Sequence, residues 1–185
     1  MLAKKIYVTA IAAALGATLA APLAFPENFR SGQRTEAQDE IAKNLDQFES
    51  AAAALQRQAD EYATSMRAHR PQRESHARQL TGVKEQVNYL GRQLSKLEEL
   101  SPAGTSLQQR AIEVARPHLE AVAEDVQIAI VMLNDDKQGH WTLEFREAVQ
   151  DIDEHADVLY TKVDAITDYE KARDRADSMK PLAES

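Results

Sequence analysis

The sequence contains no cysteine. This excludes disulfides, acylation at a lipoprotein cysteine, thiolate metal sites and covalent attachment of a c-type haem. A chain without such links must be stabilised by its hydrophobic core. About 160 residues remain when residues 1–24 are set aside, which is enough for one domain with a core of its own.

Glycine, proline and aromatic residues are also scarce. There are six glycines and six prolines, and Phe, Trp and Tyr together make up 5% of the chain. No segment alternates apolar and polar residues with the period of two that a half-buried strand requires. Ala, Gln, Glu and Arg, which favour helix, are abundant. The composition therefore predicts an all-α protein.

Basic residues are outnumbered by acidic ones. The chain has 22 Lys and Arg against 30 Asp and Glu, for a formal net charge of −8. Loss of Lys4 and Lys5 with residues 1–24 removes two positive charges and lowers the net charge to −10. Nucleic-acid binding requires a basic surface that neutralises phosphates. We therefore expect no nucleic-acid partner.

Residues 1–24 have the pattern of a signal peptide. Two lysines precede an apolar run from Ile6 to Leu19, and small residues follow it. The pattern predicts export to the periplasm or the medium, with cleavage after Ala20 or Ala24. The alternative is an uncleaved membrane anchor, because residues 6–24 approach the roughly 20 apolar residues that span a bilayer.

After an irregular lead-in at residues 25–34, four long segments carry apolar residues at alternating steps of three and four. This spacing aligns them along one side of a helix, as in a heptad seam. The four seams are Ile41, Leu45, Phe48, Ala52, Leu55, Ala59, Tyr62 and Met66; His76, Leu80, Val83, Val87, Leu90, Leu94 and Leu97; Ile112, Ala115, Leu119, Val122, Val126, Ala129 and Leu133; and Phe145, Val149, Ile152, Ala156, Leu159, Val163 and Ile166. Val114, Ile130 and Val131 are expected to widen the third seam.

Capping and turn signals mark the ends of these segments. Thr35 and Gln38 have the spacing of a capping box, and Pro71 ends the first helix. The second helix is predicted at residues 73–100, and the turn at 101–105 precedes a third helix capped by Thr105 or Ser106. Thr142 is the expected cap of the fourth helix, which runs to about Met179.

The segments between the predicted helices are only a few residues long, and such short connections make sequential helices antiparallel. The sequence therefore predicts an up-down-up-down four-helix bundle at residues 35–180, with a tail at 181–185. Pro117 should bend the third helix, and Gly91 at the same height should let the two backbones approach. Heptads also join helices of different chains, so a homodimer is the alternative to a monomer.

Two stretches of the chain, ARPHLEAVAEDVQIAIVMLNDD and HADVLYTKVDAITDYEKAR, resemble segments of an uncharacterised group of exported bacterial helical proteins. The resemblance extends over most of the chain after the leader. It implies a helical fold and export, and it implies no activity.

The inward positions offer few ligands for a cofactor. A di-iron carboxylate centre needs Glu-x-x-His on two helices, and the sequence contains no such motif. Non-covalent haem would use Met66, His76, His118 or His155, and Asp151 lies one helical turn from His155 as a weak metal pair. We therefore expect no cofactor, and a metal- or haem-binding bundle is the alternative function.

The predicted topology brings the first and third connections to one end of the bundle, which we call the tip. Its candidate interaction residues are Arg67, His69, Arg70, Arg73, His76, His140 and Trp141. An arginine at a helix start opposes the macrodipole, so Arg73 departs from local preference. Such departures sometimes mark function. The alternative is that the arginines only pair with Glu74, Asp135 and Asp136.

No nucleophile with an adjacent base and no phosphate-binding loop is recognisable in the sequence. We therefore expect a non-enzymatic protein that contacts another protein or an envelope component through the tip or a helix face.

Overall fold

The computed structural model describes residues 34–68, 72–135 and 142–183. These residues belong to one compact unit, Ser31–Ser185. The predicted signal peptide and nearly all of the lead-in lie outside the described residues, as do most residues of the two tip connections. Export therefore stays a prediction.

The described residues form four long helices. They are α1 (Glu36–Ala68), α2 (Arg73–Leu100), α3 (Ser106–Asn134) and α4 (Leu143–Ala183), with a short 3₁₀ helix at Ser101–Ala103. Helices α1 and α3 each pack against both α2 and α4. Across the diagonals of the bundle, α1 barely contacts α3, and α2 does not contact α4 within the described residues. No strand occurs within the described ranges. The predicted all-α four-helix bundle is confirmed.

Contacts between helices show the antiparallel arrangement directly. Tyr62 near the end of α1 meets His76 near the start of α2, and Lys96 near the end of α2 donates to Asn44 near the start of α1 at 3.0 Å. Helices α3 and α4 are antiparallel too, because Thr105 at the start of α3 contacts Glu170, whereas Asp125 farther along α3 contacts His155, which lies earlier in α4.

Threonine caps start the helices where the sequence predicts them. The Thr35 amide donates to Gln38 Oε1 at 3.0 Å, and the Gln38 amide donates to Thr35 Oγ1 at 3.3 Å. Thr105 and Gln108 form the same reciprocal pair at the start of α3. The Phe145 amide donates to the hydroxyl of Thr142 at 3.2 Å. Each cap satisfies amide groups that lack a partner inside the helix.

The four predicted seams form the core. All of their residues are buried except Ile166, which is partly buried against the core. Val114 and Ile130 are half-buried, but Val131 is 58% exposed, so its assignment to the third seam is wrong. Val131 lies two residues from both Ala129 and Leu133, which places it about 200° around the helix from each.

Helix α4 ends at Ala183 and not near Met179, so residues 181–183 continue the helix instead of forming a tail. Pro181 lacks a backbone N–H, so it removes one hydrogen bond from the last turn of α4.

The expected close approach at Gly91 is also wrong. A Cβ atom at Gly91 would meet nothing within 4 Å. The glycine lines an open groove of about 600 Å³ between α2 and α3, together with Arg116 and Leu119 of α3. Helix α3 continues through Pro117 without interruption.

We expect Gly91→Ala to raise the free energy of unfolding by about 0.5–1 kcal/mol, because alanine loses less backbone entropy in a helix and the space is open. Gly82→Ala is the comparison on the same helix, since its Cβ would require the end of the flexible Gln58 side chain to move. Urea unfolding should rank Gly91→Ala above Gly82→Ala. A destabilised Gly91→Ala would show that the groove is closed in solution.

Candidate functional site

A groove at the tip lies between the end of α1 and the start of α4. It encloses about 230 Å³. Three side chains of its lining are buried in the core, Ala63, Met66 and Val149, and Leu143 at its edge is 57% exposed. The groove therefore has an apolar floor, and one large apolar side chain at its rim is open to solvent.

Two arginines stand on the rim of this groove. Arg67 in the last turn of α1 and Arg146 in the first turn of α4 both line it and are both exposed. Within the described part of the chain, neither guanidinium is ion-paired. Both guanidinium groups therefore retain N–H donors for a carboxylate, which arginine can bind in bidentate geometry. Glu147 is the acidic residue of the lining.

The electrostatic surroundings of Arg67 are uneven. Farther along the contact between α1 and α4, burial and then the negative charge of Asp60 raise the pKa of the Asp153 carboxyl, and the charge of Arg67 opposes this shift. Asp157 and Glu154 add to the negative charge. A negatively charged group is thus attracted near Arg67 at the tip and repelled farther along the two helices.

His76 does not belong to the interaction surface. Its side chain is fully buried, with Nδ1 3.1 Å from the hydroxyl oxygen of Tyr62 and its ring edge-on to Phe145 at 5.2 Å between centroids. Burial also raises the pKa of Tyr62 well above its usual range, so the hydroxyl stays protonated. The assignment of His76 to the seam is confirmed, and its assignment to an accessible contact is wrong.

The other predicted tip residues divide into two groups. Arg67 and Arg73 are exposed, and Arg73 is the first residue of α2. His69, Arg70, His140 and Trp141 lie outside the described residues. Arg146 and Leu143 were not predicted from the sequence. These residues lie three apart at the start of the fourth helix, off its seam, and this spacing places them on one outer face beside the tip.

The possible metal ligand His155 contacts a carboxylate of the neighbouring helix. His155 Nδ1 lies 2.6 Å from Asp125 Oδ2 on α3, so the histidine joins α3 and α4. Across residues 34–68, 72–135 and 142–183, no three His, Asp or Glu side chains are grouped so that they hold a metal ion. None of the described helices is long and apolar enough to span a bilayer.

Comparison of the chain with protein-family models, with curated proteins and with solved structures gave no match.

Proposed function

We propose that this protein is a non-enzymatic interaction protein of the bacterial cell envelope and that its tip groove binds a partner protein. The groove receives an apolar side chain of the partner, and Arg67 and Arg146 bind a neighbouring carboxylate. The observation that carries this proposal is the pairing of a buried apolar floor with two rim arginines that have no ion pair among the described residues.

The chemistry of the groove fits a small binding hot spot. Such sites combine a pocket for an apolar anchor with arginines at its edge, and the surrounding contacts exclude water. The exposed Leu143 adds apolar surface that a bound partner would cover. Placement in the envelope rests on the signal-peptide pattern of residues 1–24.

We expect the double substitution Arg67→Glu with Arg146→Glu to weaken partner binding at least about tenfold, because both attractive charges become repulsive. The partner is first identified by co-purification from the native organism, and its affinity is then measured with both proteins purified. Arg57→Glu with Lys84→Glu is the matched control, since it makes the same charge change at exposed positions away from the tip.

Circular dichroism should show equal helicity for both double variants. An unchanged affinity of the tip variant would refute the proposed contact, as would equal losses in the two variants. The absorption spectrum and metal content of the purified protein test the alternative of a carrier. A Soret band or stoichiometric metal would replace the proposed function.

A further inference from the structure

A third groove, far from the tip groove, lies between α3 and α4. Its volume is about 660 Å³, within the range of small-molecule sites. It lies where Arg110 to His118 of α3 run beside Thr161 to Ile166 of α4. Both helices contribute basic and apolar side chains to its lining.

Three basic side chains line this groove in a protein whose net charge is negative. Lys162 of α4 is exposed and has no ion pair within the described ranges. Arg110 lies 3.6 Å from Glu113, but both side chains are about two-thirds exposed, so the pair is weak. The third basic residue, His118, is half-buried. Lys162 thus offers a cationic donor that no carboxylate neutralises within the described ranges.

Burial and two neighbouring basic residues both act on His118. Burial, followed by the positive charges of Lys162 and His155, lowers the pKa of His118. The charged and titratable groups around it are Lys162 and His155 on α4 and Arg110, Glu113 and Asp125 on α3, with Asp125 bound to His155. An anion near His118 would relieve the repulsion among these cations.

Apart from Glu113 and Thr161, the remainder of the lining is apolar. Val114 and Ile166 are half-buried, and the exposed ring of Pro117 lies between Val114 and His118 in the sequence of α3. These side chains give an apolar surface directly beside the basic one. A ligand that matches both parts has one negative group and an apolar body.

We propose that this groove binds a small monocarboxylate with an apolar body, its carboxylate held by Lys162 and His118 and its body against Val114, Pro117 and Ile166. Arg110 contributes a further donor when it leaves Glu113. The proposal is independent of the tip groove, with which it shares no residue.

Octanoate is the probe. Acetate, which lacks the apolar body, and 1-octanol, which lacks the negative charge, are the comparison compounds. In NMR titrations of the purified protein, octanoate should shift the imidazole resonances of His118 saturably. Acetate and 1-octanol should each bind at least about fivefold more weakly. Octanoate affinity should rise as the pH falls through the lowered pKa of His118, because the protonated ring binds the carboxylate.

Lys162→Met should weaken octanoate binding about fivefold, and Lys84→Met, at an exposed position on α2, should leave it unchanged. His118→Gln should abolish the pH dependence. The proposal is overturned by the absence of saturation up to about 10 mM octanoate. It is also overturned if 1-octanol binds as well as octanoate, or if Lys162→Met binds octanoate as the unaltered protein does.

Discussion

Replacing Phe145 with alanine is expected to lower the free energy of unfolding by about 3–5 kcal/mol. Phe145 is fully buried, and its ring packs against the edge of His76, which in turn contacts the Tyr62 hydroxyl. Removal of the ring leaves a cavity among three helices, and it exposes a polar pair that is otherwise shielded from water. Urea unfolding followed by circular dichroism measures the loss.

Leu143→Ala is the matched control for this prediction. Leu143 lies two residues earlier on the same helix and is 57% exposed, so its truncation should change the free energy of unfolding by less than about 0.5 kcal/mol. A small domain has only about 5–15 kcal/mol of total stability. Phe145→Leu, at about 1 kcal/mol, provides a milder variant if the alanine variant does not fold. An equal loss in the free energy of unfolding for Phe145→Ala and Leu143→Ala would contradict the burial of Phe145 in the core.

The second large effect concerns a buried carboxylate at the end of the bundle opposite the tip. Glu170 is 4% exposed, and its Oε1 accepts from the Thr105 hydroxyl at 2.9 Å and lies 3.2 Å from Arg34 Nη2. Arg34→Ala would leave this charge with one neutral donor. We expect a loss of about 2–3 kcal/mol, below the value for a fully buried pair because the Arg34 side chain is 28% exposed.

A neighbouring arginine supplies the control. Arg173 lies 3.7 Å from Asp174 with both side chains more than one-third exposed, so Arg173→Ala should cost less than about 1 kcal/mol. The double substitution Arg34→Met with Glu170→Leu should recover most of the loss, because apolar side chains often replace a buried ion pair without destabilisation. If Arg34→Ala is no more destabilising than Arg173→Ala, the buried charge is not held by Arg34.

The arrangement of the core follows from the sequence because a helix buried on one side must repeat its apolar residues with the helical period. The same spacing of buried positions continues beyond the last apolar residue of a seam. Gln108 lies one turn before Ile112, and Glu170 lies one turn after Ile166, and both are buried. Extending the heptad register by one turn predicts that these two polar residues are buried, which the apolar pattern alone does not show.

The open groove beside Gly91 was not predictable in this way. Whether two helices touch at a glycine depends on the volumes of all side chains packed nearby, which a periodic pattern does not encode. The candidate site shows a similar limit. The topology brought Arg67 to the tip, but Met66, Leu143 and Arg146 enter the site only once α1 and α4 are seen to lie side by side.

His76 shows how one residue supports two interpretations. Its position beside the tip connection suggested a surface contact, whereas its place one turn before Leu80 in the heptad register indicated burial. The register was the stronger signal, because a seam position faces the other helices even when the residue is polar.

The chain enters α1 beside the stretch of α4 that contains Asp174, since Arg34 forms an ion pair with that residue. In a chain trimmed to residues 34–174, a short flexible linker between these two points would turn the polypeptide into a ring. Closure of this kind acts on the unfolded chain, from which it removes conformations, so its benefit is entropic and requires no added contact in the folded protein.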